Sequence, residues 1–394
     1  MNKSITILTS EESFHNNYGA ALQGYALYCT LQEMGLDPQI VRYEGGQFQD
    51  NACRYYLMRA KRRIRLLIQR IRPDKTEREI RSLTKEYAQE IRLRERLFMS
   101  FQNENMVFYN KHRMTWQQLK RDYPHTDYYI CGSDQIWNPH FKGGRNDPGY
   151  FLQFAPKGAV KIAYAPSFGC NDLPIKAQKT IKDYLSSFDA ISVRENIGVE
   201  IISKYTGFPA QVVLDPTLLR SPEQWREVAN LPDGLPDHYI LCYRFADSEQ
   251  TKHKIDKISA MTGLPVVSLP LSVTSMRDEN YQFVFNAGPR EFIGLIDKAE
   301  IVCTDSFHAT VFSILMKTPA LVFLREEYGS GDSMNSRVYS LLENLDLKQL
   351  IVAPNREVDD TLIGQDIDFD RAHEMLDKLK TESQNFLKNA LLHV

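Results

Sequence analysis

The sequence has no C-x-x-C pair. Its six cysteines, Cys29, Cys53, Cys131, Cys170, Cys242 and Cys303, are scattered, several of them inside apolar, strand-like runs. That spacing excludes the usual zinc site and gives no disulfide framework, so small buried thiols in a reducing compartment are expected, and no metal. No apolar run approaches the roughly 18 residues that a membrane span needs. The opening, MNKSITILTSEES, turns polar within a few positions and lacks the apolar core of a secretory signal, which makes the cytoplasm the expected location. An excess of charge is missing too. With 48 Lys and Arg against 50 Asp and Glu, the net charge is -2, and no global field is present to hold a nucleic-acid backbone. Hydrophobic residues at 43% and charged residues at 25% exclude a disordered chain.

What is present is an alternation of short apolar runs and helical stretches. Ile5 to Leu8 is followed by a polar loop and a helix-like stretch from Gly19 to Met34, ended by Gly35. Further β-branched runs lie at Gln39 to Tyr43, Tyr128 to Cys131, Lys161 to Ala165, Ala190 to Val193 and Gln211 to Leu214. A second series follows: Tyr239 to Arg244, Pro265 to Leu269, Gln282 to Phe285, Glu300 to Cys303 and Ala320 to Phe323. Strands alternating with helices predict parallel sheets covered on both faces. At 394 residues the chain exceeds one core, and the Pro-, Gly- and Asp-rich loop before His238 places a boundary between about Asp215 and Pro236. The expected division is an α/β domain over 1–220, a second over 221–365, and a closing helix over 366–394 placed to pack back on the junction.

One stretch, about 51–106, breaks the alternation and reads as a helical insertion in the first domain. Its segment RAKRRIRLLIQRIR carries seven basic residues from Arg59 to Arg72 above an apolar stripe of Ile64, Leu67, Ile68 and Ile71. Such a helix either packs on the domain with solvated arginines or meets an anionic partner, a membrane surface or a phosphorylated ligand.

Polar residues collect where strands end, the edge at which open parallel sheets bind ligands. The first strand leads into Asn17, Tyr18 and Gly19; Tyr128 to Cys131 leads into Ser133, Asp134, Gln135 and Trp137; Ala190 to Val193 leads into Arg194; Gln211 to Leu214 leads into Asp215. Turns and caps prefer such residues anyway. Trp137 beside Asp134 and Gln135 is more than a turn requires, because an aromatic face with carboxylate and amide neighbours suits a sugar ring. In the second series, Glu300 to Cys303 leads into Thr304, Asp305 and Ser306, any of which caps a helix reaching Met316. His308 then falls in the first helical turn, beside N–H groups that attract an anion. The helix dipole there disfavours imidazolium and a bound phosphate favours it, so His308 either packs or becomes an acid when an anionic substrate arrives. Farther on, Asn335, Ser336 and Arg337 precede a helix, where Arg337 either clamps a carboxylate or phosphate or lies at the surface.

As a set, NYGAALQGYAL, GSDQIWNP, SVRE, VLDPTLL and TDSFHATVFSI resemble the polysaccharide pyruvyl transferase family, in order and spacing from Ile5 to about Leu345. The resemblance implies two Rossmann-like domains facing a cleft, a GT-B-like fold. It also implies transfer of an enolpyruvyl unit from phosphoenolpyruvate to a sugar of a cell-surface polysaccharide, capsule or exopolysaccharide, as a ketal, with no cofactor. On that resemblance His308 is the acid, Asp134 a candidate base and Arg194 a donor-binding cation. Relatives tend to carry Arg-Leu-His where this chain has Ser306-Phe307-His308, so Arg337 or Arg244, with Ser306, Asn335 and Ser336, is expected to supply the missing donor contacts. Asn17, Tyr18, Gly19, Ser133, Gln135 and Trp137 are left for the acceptor, lipid-linked or free. Two other readings share these residues: a glycosyltransferase using a nucleotide sugar, and a non-catalytic sugar-binding assembly protein.

Overall fold

The computed structural model describes residues 3–10, 17–45, 82, 84–246, 248–271, 280–324 and 335–392. The first sheet contains β1 (Ser4–Leu8), β2 (Asp37–Ile40), β3 (Tyr128–Cys131), β4 (Val160–Ala163), β5 (Ala190–Val193) and β6 (Gln211–Val212), in the order β2-β1-β3-β4-β5-β6. The second contains β7 (Ile240–Tyr243), β8 (Val266–Ser268), β9 (Gln282–Phe283), β10 (Ile301–Thr304), β11 (Ala320–Phe323) and β12 (Ile351–Val352), in the order β12-β11-β10-β7-β8-β9. All pairings in both sheets are parallel. Strands such as YYIC and IVCT are buried at every position, as strands covered by helices on both faces must be. β12 went unforeseen because its two residues, Ile351 and Val352, are too few to show a period.

Each sheet begins at an inner strand, runs outward, and then returns past its first strand. The order therefore reverses between β1 and β3 and again between β7 and β10. Loops leaving neighbouring strands part at such a point and leave a crevice at the carboxyl edge. The two Rossmann-like domains turn these edges toward a common cleft.

Three helices tie the halves together. Tyr18 opens the helix Tyr18–Glu33 of the first domain, yet its hydroxyl donates to the Ala287 carbonyl at 3.0 Å and its ring stacks on Phe292 with centroids 4.7 Å apart. Burial pushes this phenol up to about 12. The helix Ala88–Asn105 is the described part of the expected insertion, whereas the basic stripe from Arg59 to Arg72 lies outside the described residues. From it buried Arg94 reaches the second domain and donates to the carbonyls of Pro270, Phe285 and Val284 at 2.6, 2.9 and 3.1 Å. The helix Phe369–Leu392 meets both halves: His373 contacts the Ile314 carbonyl at 2.8 Å, while Ser383 Oγ accepts from Leu214 N at 2.9 Å. No helix among the described residues is long and apolar enough to cross a membrane.

Arg94→Met keeps most of the volume but strips three buried carbonyls of their donor. Leaving such groups unpaired costs about 3 kcal/mol, so the urea midpoint is expected to fall clearly below that of the wild type; an unchanged midpoint would show that Arg94 does not hold the domains together.

Candidate functional site

β10 ends in Thr304, whose hydroxyl donates to the Tyr243 carbonyl at 2.6 Å and accepts from Ser306 N at 3.0 Å. Ser306 then caps the helix Phe307–Met316, its Oγ accepting from Ala309 N at 3.4 Å. His308 accordingly sits in the first turn, only 7% exposed. Across the cleft, Asn17 caps the helix Tyr18–Glu33 by accepting from Ala20 N at 3.1 Å. The two helices thus bring their amino ends to one place, and His308 packs directly on Gly19, where a Cβ would stand 2.0 Å from Nδ1. A residue with any side chain at 19 would expel the imidazole.

Behind His308 lies a buried charge network. Asp215, 1% exposed, follows β6 and accepts from Arg194 Nη1 at 2.7 Å, from Ser133 Oγ at 3.0 Å, and from Thr217 Oγ1 and N at 2.6 and 3.0 Å. His308 Nε2 stands 3.6 Å from the same carboxylate and makes no hydrogen bond among the described residues. Asp134 Oδ1 lies 3.6 Å from Arg194 Nη2. Burial by itself would push the Asp215 carboxyl up, but His308, Arg194 and the Thr217 hydroxyl outweigh it and hold the group well below the usual carboxylate range. Burial likewise opposes the charge on Arg194, and Asp215, Asp134 and Glu195 more than offset it, so its pKa is raised. The Arg194 guanidinium also lies 4.5 Å from the Phe307 ring centre.

In front of His308 opens a cavity of about 600 Å³. Of the residues expected from sequence, Asn17, Asp134, Gln135, Ser306, His308 and Arg337 line it together. With its amide turned so that the oxygen faces Arg337, Gln135 accepts from Nη2 at 2.8 Å and Nη1 at 3.1 Å, a bridge between the domains.

The other expected residues are placed differently. Trp137 is 1% exposed, stacked on Phe151 at 4.7 Å with its indole N–H on the Tyr150 carbonyl, so it belongs to the core and offers no face to a sugar. Tyr18 is core at the domain junction, and Ser133 is spent on Asp215 and the Ala165 carbonyl. Gly19 makes room for His308 and does not line the main cavity. Arg194 stands behind Phe307, lining a separate cavity of about 240 Å³ and holding Asp215, so it positions the network and does not face the main cavity. Arg244 lines a neighbouring cavity of about 570 Å³. Asn335 and Ser336 start the helix Ser336–Asn344 without lining the main cavity. Conversely, Phe141, Lys142, Tyr150 and Phe245 do line it and were not anticipated. Phe141 lies in an unpatterned Pro-His-Phe-Lys-Gly-Gly turn, which carries no periodic signal.

Fold and site together define a two-domain protein of the GT-B type with a polar cavity at the interdomain cleft. By structure it is similar to the UDP-GlcNAc 2-epimerase of Methanocaldococcus jannaschii, in complex with UDP-GlcNAc and UDP, at a TM-score of 0.51 and 10% identity, over 99% of this chain and 100% of that one. It is also similar to the UDP-GlcNAc 2-epimerase of Neisseria meningitidis bound to UDP-GlcNAc, at a TM-score of 0.48 and 10% identity, with all of both chains covered. The first of these matches, at 10% identity, speaks for the fold alone. No curated protein matches the sequence. The family is shown by the sequence model for polysaccharide pyruvyl transferase, which matches residues 17–327; the chain belongs to that family.

Two substitutions test this geometry. Gly19→Ala overpacks the His308 contact, and a loss of about 1–3 kcal/mol together with displaced His308 imidazole resonances is expected; an unmoved ring would contradict the packing. Asp215→Asn leaves Arg194 without its buried partner, at a cost of about 3–5 kcal/mol. Because the Asp215 pKa is depressed on folding, its contribution is full above the unfolded carboxylate range and fades as pH falls below about 4. The gap in melting temperature between wild type and variant should therefore be wide at neutral pH and narrow in acid, and a gap independent of pH would refute the assignment.

Proposed function

We propose that the protein transfers a pyruvyl group from phosphoenolpyruvate to two hydroxyls of a saccharide, forming a ketal. The observation that carries this reading is the joint placement of His308 and Arg337 on one cavity, at the amino end of the helix Phe307–Met316. A donor with phosphate and carboxylate groups suits that corner. The helix end supplies N–H groups and a partial positive charge, and Arg337 supplies a planar cation in place of the arginine that Ser306 replaces.

In the proposed reaction the His308 imidazolium gives its proton to the methylene carbon of phosphoenolpyruvate, and cationic character develops at the adjacent carbon. Asp215, fixed as a carboxylate by Arg194, Ser133 and Thr217, lies 3.6 Å from His308 Nε2 and stabilises the imidazolium electrostatically before transfer. A saccharide hydroxyl attacks the cationic carbon, with Asp134 receiving its proton. Phosphate then leaves, and a second hydroxyl closes the ketal. The proton held by Asp134 departs with phosphate, and that of the second hydroxyl restores His308.

The test is direct. With phosphoenolpyruvate and a panel of glycans, phosphate release should accompany a gain of one pyruvyl unit on the sugar. His308→Ala should lower turnover by at least about 100-fold, the scale of a general acid, while leaving phosphoenolpyruvate binding largely intact. Full turnover in that variant, or binding of nucleotide sugars to the exclusion of phosphoenolpyruvate, would overturn the proposal, the second result in favour of a glycosyltransferase.

A further inference from the structure

The cavity in front of His308 carries two exposed phenyl rings. Phe141 is 61% exposed and Phe245 is 43% exposed, in a chain whose other large aromatic side chains are mostly buried. They come from different domains. Phe141 belongs to the single helical turn His140–Lys142 after β3, and Gly143 and Gly144 follow it at φ 64° and 77°, a left-handed reversal that glycine permits. Phe245 follows β7 and is held by its backbone: its N–H donates to Asp305 Oδ1 at 2.7 Å, and that of Ala246 donates to Oδ2 at 2.8 Å. Its ring stands edge-on to Tyr243 with centroids 5.5 Å apart. Both rings keep much of their apolar surface open to the cleft, held there by a glycine turn on one side and by backbone hydrogen bonds on the other. On the same lining stand the amides of Asn17 and Gln135, the Asp134 carboxylate and the Lys142 ammonium. Apolar faces ringed by amide and carboxylate groups match a pyranose, which pairs a C–H face with a rim of hydroxyls.

We propose that Phe141 and Phe245 form the acceptor subsite, in which one pyranose ring of the saccharide stacks on Phe141 while Phe245 bounds the site from the second domain. This rests on the pyruvyl-transfer reading for the identity of the occupant, and it assigns to Phe141 the stacking role that Trp137, sealed in the core, cannot fill. Asp134 and His308 line the same cavity as both rings.

Saturation-transfer NMR on the full chain without phosphoenolpyruvate, using methyl β-galactopyranoside, methyl β-glucopyranoside and methyl α-mannopyranoside, with uridine as a rival ring, tests the subsite. Saturation should reach the ring C–H protons of at least one pyranoside. Phe141→Ala and Phe245→Ala should each weaken that binding about tenfold, and Phe141→Tyr should restore it. Both positions are exposed, so circular dichroism of the variants should match the wild type. If no pyranoside binds, if binding ignores both substitutions, or if uridine alone is held, the subsite is wrong. A protein that binds pyranosides through both phenyl rings yet transfers no pyruvyl group would sink the reaction and spare the subsite.

Discussion

A single buried carboxylate organises this molecule. Asp215 has no solvent to balance its charge, so the surrounding chain must do so, and it does so from four directions: Arg194 after β5, Ser133 after β3, Thr217 from its own turn, and His308 from the other domain. Bringing such groups together is costly in desolvation and worthwhile only when each is satisfied. The residues that meet this demand all sit beyond the carboxyl ends of parallel strands, where the sheet's own hydrogen bonds have stopped and side chains are free to converge. The same carboxylate therefore stands 3.6 Å from His308 of the other domain, beside the proposed acid.

Two helix amino ends meet at this point, one from each domain. Their partial positive charges would repel an imidazolium left alone between them and would attract an anion. Asp215 answers the first effect from behind, and an anionic donor would answer it from the front. Gly19 is the steric condition for this arrangement, since the imidazole of His308 occupies the volume that any Cβ there would need. Close approach, not backbone freedom, is what requires glycine at this position.

Much of this was legible before any coordinates. The alternation of apolar runs and helices located every strand except β12, and polar residues gathered at strand ends marked the cleft, because sheet edges and helix caps have local signatures. Ser306 as a cap, and His308 in the turn after it, followed from the same rule. What the chain did not disclose is direction. Trp137 and Tyr18 stand in motifs full of site residues, yet one points back onto Phe151 and the other across to Phe292. Arg194 faces inward to Asp215 and Phe307 for the same reason: which way a side chain leaves a loop is set by tertiary packing, which no spacing encodes. Phe141 escaped notice from the opposite cause, as a lone aromatic in a Gly-rich turn looks like a loop residue until its exposure is known.

The departure from the Arg-Leu-His pattern gains a physical account from this arrangement. An arginine at 306 would add a third guanidinium beside Arg194 and Arg337, both of which already lie near the Phe307 ring, at 4.5 and 5.9 Å from its centre. With Ser306 the helix keeps a strong cap and the corner keeps one fewer cation, and Arg337 enters instead from the helix Ser336–Asn344 with Gln135 of the first domain against it. The cation that faces the cavity is thus carried by one domain and steadied by the other. Any change in how the domains sit would therefore move Arg337 relative to Asp134 and Asn17 on the cavity wall.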